Sequence, residues 1–145
     1  NEKLEIRNPN SVRPWQFVLD PLYGYLLLIE KLSTNPKSYS GPWNFGPKEE
    51  TAQSVELICN KIAALWKNGA SWTLKGNSEL HEANLLLLNS DKANEQLKWQ
   101  SKYDLNTTLE KTIKWYINFY SEEKNVKDFT ISQINEYEKN GNKKK

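Results

Sequence analysis

A chain of 145 residues has the length of one domain, large enough to bury a core. Its hydrophobic fraction of 37% is modest, but 12% aromatic residues exclude a disordered chain. A formal net charge of +2 with interspersed Lys and Glu excludes the one-sided basic surface of a nucleic-acid domain, and no apolar run approaches the ~20 residues of a membrane span.

Residues 4–7 alternate apolar and polar, the period of a half-buried strand, and residues 8–11 supply a turn. Residues 15–19 are a second extended segment. Asp20 followed by Pro21 predicts a helix start, with a carboxylate to cap free amides and a proline whose missing N–H costs nothing there. The helix runs to about Leu32 and is apolar on most sides at residues 26–29, which predicts burial on more than one face. A chain of this length does not obviously supply that cover.

Residues 33–42 read as a polar loop, and residues 43–45 as a short strand closed by Gly46 and Pro47. A helix over about 51–68 places Val55, Ile58, Cys59, Ile62, Leu65 and Trp66 on one stripe, with Gly69 as its stop. Residues 71–74 and 84–88 read as strands, separated by a turn-rich stretch around Gly76, Asn77 and Ser78. Ser90 caps a short helix to Leu97. Residues 105–120 form an amphipathic helix with Leu105, Leu109, Ile113, Tyr116, Ile117 and Tyr120 on one face. Residues 130–133 have the form of a capping box ahead of Ile134 and Tyr137.

The fold class is therefore α/β, with helices and short strands mixed. One domain is expected over residues 1–139, followed by a disordered basic tail at 140–145. No glycine-rich turn follows any predicted strand, so the dinucleotide fingerprint is missing. The chain has no Met and opens with a strand pattern already under way, so it reads as a piece of a longer protein. Cys59 is the single cysteine and sits among Val55, Ile58 and Ile62, which predicts a small buried apolar side chain rather than a nucleophile. One cysteine forms no internal disulfide, in keeping with a reducing compartment. With no signal peptide, a cytoplasmic location is expected.

Residues 7–22, Arg-Asn-Pro-Asn-Ser-Val-Arg-Pro-Trp-Gln-Phe-Val-Leu-Asp-Pro-Leu, are not generic. They resemble the motif that opens the second half of CDP-glucose 4,6-dehydratases, which are extended short-chain dehydrogenase/reductases. Further matches follow in that family's order: Gly24-Tyr25-Leu26, Trp43-Asn44-Phe45-Gly46-Pro47, His81-Glu82-Ala83, Asp91-Lys92-Ala93 with Leu97 and Trp99, Thr112 with Trp115-Tyr116, and Gln133-Ile134-Asn135-Glu136-Tyr137. One departure is Lys98-Trp99-Gln100-Ser101, where relatives commonly have Gly-Trp and then Pro.

The resemblance implies the carboxy-terminal, substrate-binding lobe of such an enzyme without its Rossmann domain. The complete bacterial enzyme would convert CDP-glucose to CDP-4-keto-6-deoxyglucose and water, with bound NAD taking and returning a hydride, in a route to surface-polysaccharide dideoxysugars. The family's catalytic residues lie in its first half, so no catalytic residue, no bound cofactor and no metal are expected here. The apolar 21–32 helix and the 43–45 segment pack against the cofactor domain in such enzymes, which predicts a homo-oligomer or aggregation when they are bare.

The candidate ligand contacts begin with arginine. Guanidinium meets the paired oxygens of a diphosphate two at a time, and the two arginines of this Lys-rich chain, Arg7 and Arg13, both lie in the matched motif. The resemblance implies that Arg13 holds the nucleotide-sugar phosphate and that Arg7 serves its ribose or phosphate end. Trp15 is expected in the core. Gln16 either bonds the ligand or caps a backbone group, and Asn44 either lies near the phosphates or is a turn residue. His81 and Glu82 resemble the loop that bears the family's phosphate- and ribose-binding residues, and there they would distinguish a CDP sugar. Tyr120 and Lys124 have the superfamily's catalytic Tyr-x-x-x-Lys spacing, but such a pair is expected by chance here and is not read as catalytic. Two alternatives stand beside this reading: a non-catalytic module that binds a nucleotide sugar or a protein, and a part of a related nucleotide-sugar epimerase or reductase.

Overall fold

The computed structural model describes residues 3–75, 83–121 and 125–141. In chain order its elements are β1 (Leu4–Ile6), β2 (Val12–Pro14), α1 (Leu19–Thr34), α2 (Pro36–Tyr39), a 3-10 turn (Glu49–Thr51), β3 (Ala52–Ser54), α3 (Val55–Trp66), β4 (Trp72–Leu74), α4 (Asp91–Leu97), α5 (Leu105–Phe119) and α6 (Val126–Gly141). The expected mixture of helices and short strands is what the chain adopts. β1 pairs in parallel with β4, Leu4 opposite Trp72, and β2 pairs antiparallel with β3, Arg13 opposite Gln53.

The second extended segment lies three residues earlier than expected, at β2, and Leu19 already belongs to α1. β2 takes its place because it finds partners on both sides. On one side is β3; on the other Val12 bridges Leu85, its N–H donating to Asn84 (2.7 Å) and its carbonyl accepting from Leu86 (3.2 Å). The next ladder step would need an N–H from Pro14, which has none, so residues 84–88 form a single bridge instead of the expected strand. The pairing with β2 also shortens the helix expected over 51–68. Residues 52–54 become β3, and Ser54 caps α3 by accepting from the Leu57 N–H at 3.2 Å. At its far end Lys67, Asn68 and Gly69 all have positive φ, so α3 stops at Trp66, before the predicted glycine.

Residues 43–45 are not a strand. Side chains take the backbone bonds at the segment's end: the Phe45 carbonyl accepts from Gln16 Nε2 (2.8 Å), and both the N–H and the carbonyl of the following Gly46 bond Ser90 Oγ (2.7 and 3.2 Å). Ser90 holds the N-cap position of α4, yet its hydroxyl is spent on Gly46 and makes no cap bond. The 33–42 loop contains α2, capped by Asn35. The capping box expected at 130–133 lies inside α6. Asn125 Oδ1 accepts from Lys127 N at the helix start, while Thr130 Oγ1 donates back to Val126. α6 runs on to Gly141, past the expected domain edge at 139, and residues 142–145 lie outside the described residues.

Phe45, Ala93, Leu97 and Trp99 form a buried cluster backed by Leu27, Leu28, Tyr39 and Trp43. Gly24 of α1 permits this packing, because a Cβ there would strike the Phe45 ring. α3 packs on α5, and α5 on α6, around buried Ile58, Cys59, Leu109 and Ile113. The predicted α5 stripe is only half covered. Tyr116, Ile117 and Tyr120 are exposed, and the buried position in that turn belongs to Asn118. α1 turns Leu22, Tyr25, Leu26 and Ile29 outward, so its second apolar face lies bare.

Candidate functional site

β2 and the connection into α1 carry the centre of the candidate site. Arg13 extends from β2 and donates from one terminal nitrogen to the carbonyls of Val12 (2.8 Å) and Ala83 (2.9 Å). Trp15 Nε1 donates to the Gln53 carbonyl (2.9 Å), which ties this half-buried indole to β3; it does not belong to the buried core. Gln16 caps the Phe45 carbonyl through Nε2, while its Oε1 is buried without a partner. That bond sets Gln16 beside the segment bearing the exposed Asn44.

Arg7 stands at the far stem of the same region. It is exposed and directly follows β1, where the Ile6 carbonyl accepts from Lys75 N at 2.8 Å. The chain therefore leaves β4 toward residues 76–82 beside Arg7, and returns at Ala83 beneath Arg13. His81 and Glu82 lie outside the described residues. The two arginines flank the two stems of the segment that contains them. The residues at the segment's two ends thus include both arginines of the chain, and guanidinium is the side chain that pairs with phosphate oxygens two at a time.

Two clefts lie near this region. One of about 370 Å³ runs between Gln16, Phe17 and Val18 on one side and Thr112, Trp115 and Ile134 of α5 and α6 on the other. Another of about 680 Å³ lies between Gly46, Leu88, Ser90 and Gln100 and includes none of the expected contacts. Arg7, Arg13 and Asn44 line neither.

The chain's most perturbed groups form a different cluster. Asp20 is not the N-cap of α1: Val18 holds that position, and Asp20 is fully buried one residue inside the first turn. Its Oδ1 accepts from Lys102 N (2.9 Å) and from the Tyr137 hydroxyl (2.6 Å), its carbonyl accepts from Trp99 Nε1 (2.9 Å), and Oδ2 is left without a partner. Burial pushes the Asp20 carboxyl above its ordinary range, against the pull of Tyr137 and of Lys102. Burial lowers Lys102, partly offset by Asp20 and Glu138, and raises Tyr137, with the Asp20 hydrogen bond adding to the rise. Lys102 Nζ lies over the rings of Tyr137 (3.9 Å) and Tyr23 (4.6 Å). The sequence offered a cap reading for Asp20, and nothing in the pattern tied it to residues 82 and 117 positions away.

Cys59 is buried and desolvation raises its thiol, which suppresses the thiolate. Tyr120 is exposed, and Lys124 lies outside the described residues. Among the described residues no helix is long and apolar enough to cross a membrane, and no cluster of metal-ligating side chains occurs. In the sequence, none of the described strands is followed by the glycine-rich G-x-G-x-x-G pattern of a dinucleotide site.

No family model matches the chain. Over 116 residues, 80% of its length, it is 46% identical to CDP-glucose 4,6-dehydratase of Salmonella typhimurium. The matched stretch is 32% of that enzyme, so the chain spans about a third of the curated relative. The resemblance carried by residues 7–22 and the motifs after them is borne out by this identity.

Proposed function

We propose that this chain is the carboxy-terminal, substrate-binding lobe of a CDP-glucose 4,6-dehydratase, and that it binds the CDP sugar while the NAD-dependent chemistry is carried by other parts of the protein. The observation that supports this reading is the 46% identity over 116 residues to such an enzyme. Arg13 and Arg7 hold the diphosphate, and His81 and Glu82 distinguish the cytidine nucleotide. Gln16 and Asn44 complete the wall. Gln16 contributes first by fixing the Phe45 backbone and so the position of Asn44.

Hydride transfer, dehydration and the return of the hydride are assigned to no residue of this chain, whose sequence lacks the glycine-rich dinucleotide fingerprint. The chain alone is accordingly inactive. The bare face of α1 at Leu22, Tyr25, Leu26 and Ile29 is the surface on which the cofactor domain or a second copy packs. The protein acts in a bacterial cytoplasm and supplies a 4-keto-6-deoxy sugar for surface polysaccharide.

A thermal melt of the chain with CDP-glucose, and with UDP-glucose as control, tests the binding claim. Ligand at a hundredfold excess over its dissociation constant adds about 2.7 kcal/mol to the folded state. The expected result is a rise with CDP-glucose alone that Arg13→Ala abolishes. A cooperative melt that CDP-glucose leaves unmoved refutes a complete cytidine-selective pocket in this lobe and favours a non-catalytic module.

A further inference from the structure

Asp20 is the most deeply buried ionisable side chain among the described residues, and neither capping nor sugar binding accounts for it. It joins three parts of the fold. It belongs to the first turn of α1, it accepts from the 98–104 connection at Lys102 N, and it accepts from α6 at Tyr137. The Tyr137 bond, at 2.6 Å, is the short contact of the set and spans 117 residues of sequence.

Around the carboxyl, α1 contributes Tyr23, the 98–104 connection contributes Lys102 and Tyr103, and α6 contributes Tyr137 and Glu138. Phe17 packs on Tyr103 and Tyr137 and closes the cluster from the β2 side. One layer out, Lys111 of α5 pairs with Glu136 at 2.7 Å. Nothing among these groups reaches Oδ2, so that oxygen has no hydrogen bond in either protonation state, and full burial disfavours the charged one.

We propose that the Asp20–Tyr137 contact is a protonation-sensitive clasp, closed when Asp20 is neutral, that holds α6 against the start of α1 and lets α6 undock while the rest of the fold persists. The direction follows from burial. The closed form holds the Asp20 proton more tightly than the open form, in which the carboxyl is hydrated and titrates near 4. The advantage of the closed form is whole below that value and is lost as pH rises through the closed-form value. The neighbours oppose this only in part, since Tyr137 and Lys102 each favour the carboxylate. Undocking also removes Ile134 and Gln133 from the wall of the cleft beside Gln16.

Hydrogen exchange followed by mass spectrometry between pH 4 and 8, corrected for intrinsic rates, reads the clasp directly. The expected result is that amides of α6 lose protection relative to α3 as pH rises, by about tenfold for each unit by which the closed fold raises Asp20. Asp20→Asn is expected to flatten that dependence. Tyr137→Phe, which removes the clasp's other partner, is expected to lower α6 protection relative to α3 already at pH 4, and keeps the test alive if Asp20→Asn does not fold. Parallel loss from α6 and α3, or a wild-type pH profile in either variant, overturns the proposal.

Discussion

Replacing Gly24 with Ala sets two effects of opposite sign against each other in α1. By helix propensity alone the change stabilises an interior helical position by about 1 kcal/mol. The structure reverses that expectation. A Cβ at Gly24 would meet the Phe45 ring, with Cε1 at 2.6 Å and Cγ at 2.9 Å. To retreat, the ring has to displace its neighbours. It is 6% exposed and meets Trp99 edge-on at 5.2 Å and Tyr25 at 5.4 Å, and its own backbone carbonyl is pinned by Gln16. Overpacking of this kind costs about 1–3 kcal/mol, so the net expectation is a loss of roughly 1 kcal/mol after the propensity gain. That corresponds to a fall of roughly 3 °C in Tm for a chain of this size. Urea unfolding should show a lower midpoint with an unchanged slope. In the Phe45→Leu background the same change should be less costly, a coupling of about 0.5–3 kcal/mol between touching residues. A Gly24→Ala variant more stable than the wild type would refute the packing argument.

Ser90→Ala strips both partners from the buried Gly46 backbone and should cost about 1–3 kcal/mol by urea unfolding, well beyond the loss of an ordinary exposed serine. Tyr137, raised by burial and by Asp20, keeps its proton in the folded chain after the unfolded chain has released it near pH 10. Its contribution is therefore present below about pH 10 and lost as pH rises further, and unfolding midpoints above pH 10 should fall less in Tyr137→Phe than in the wild type. Cys59 should react slowly with iodoacetamide at pH 8 in the folded chain and at the rate of a free thiol in urea, as followed by mass; equal rates would contradict its burial.

The local signals in the sequence were legible wherever neighbours agreed with them. The α3 stripe, the Leu109–Ile113 part of α5 and the β1 and β4 strands all appear near where periodicity placed them. The failures have a common cause in distant partners. Residues 52–54 look helical until β2 offers them an edge, and residues 43–45 look extended until Gln16 and Ser90 take their backbone bonds. Asp20 reads as a cap because Asp-Pro is a capping pattern, and only Lys102 and Tyr137 show that it is an interior group. For the candidate site, the motif identified Arg13 and Gln16, and the Phe45 carbonyl takes up the backbone-cap alternative for Gln16, but nothing in the pattern showed that Arg13 braces the Val12 and Ala83 carbonyls. Nor did spacing reveal that Arg7 and Arg13 stand at opposite stems of the same segment, since that depends on the pairing of β1 with β4.

The span between Asp20 and Tyr137 also bears on the order in which the fold forms. Closing so long a loop is entropically late, whereas the pairing of α5 with α6 joins near neighbours in sequence. The contact thus belongs to the final side of the folding barrier. Substitutions there should hasten unfolding and leave the refolding rate nearly unchanged, so the residence time of the native state, rather than its rate of formation, is what this pair of residues governs.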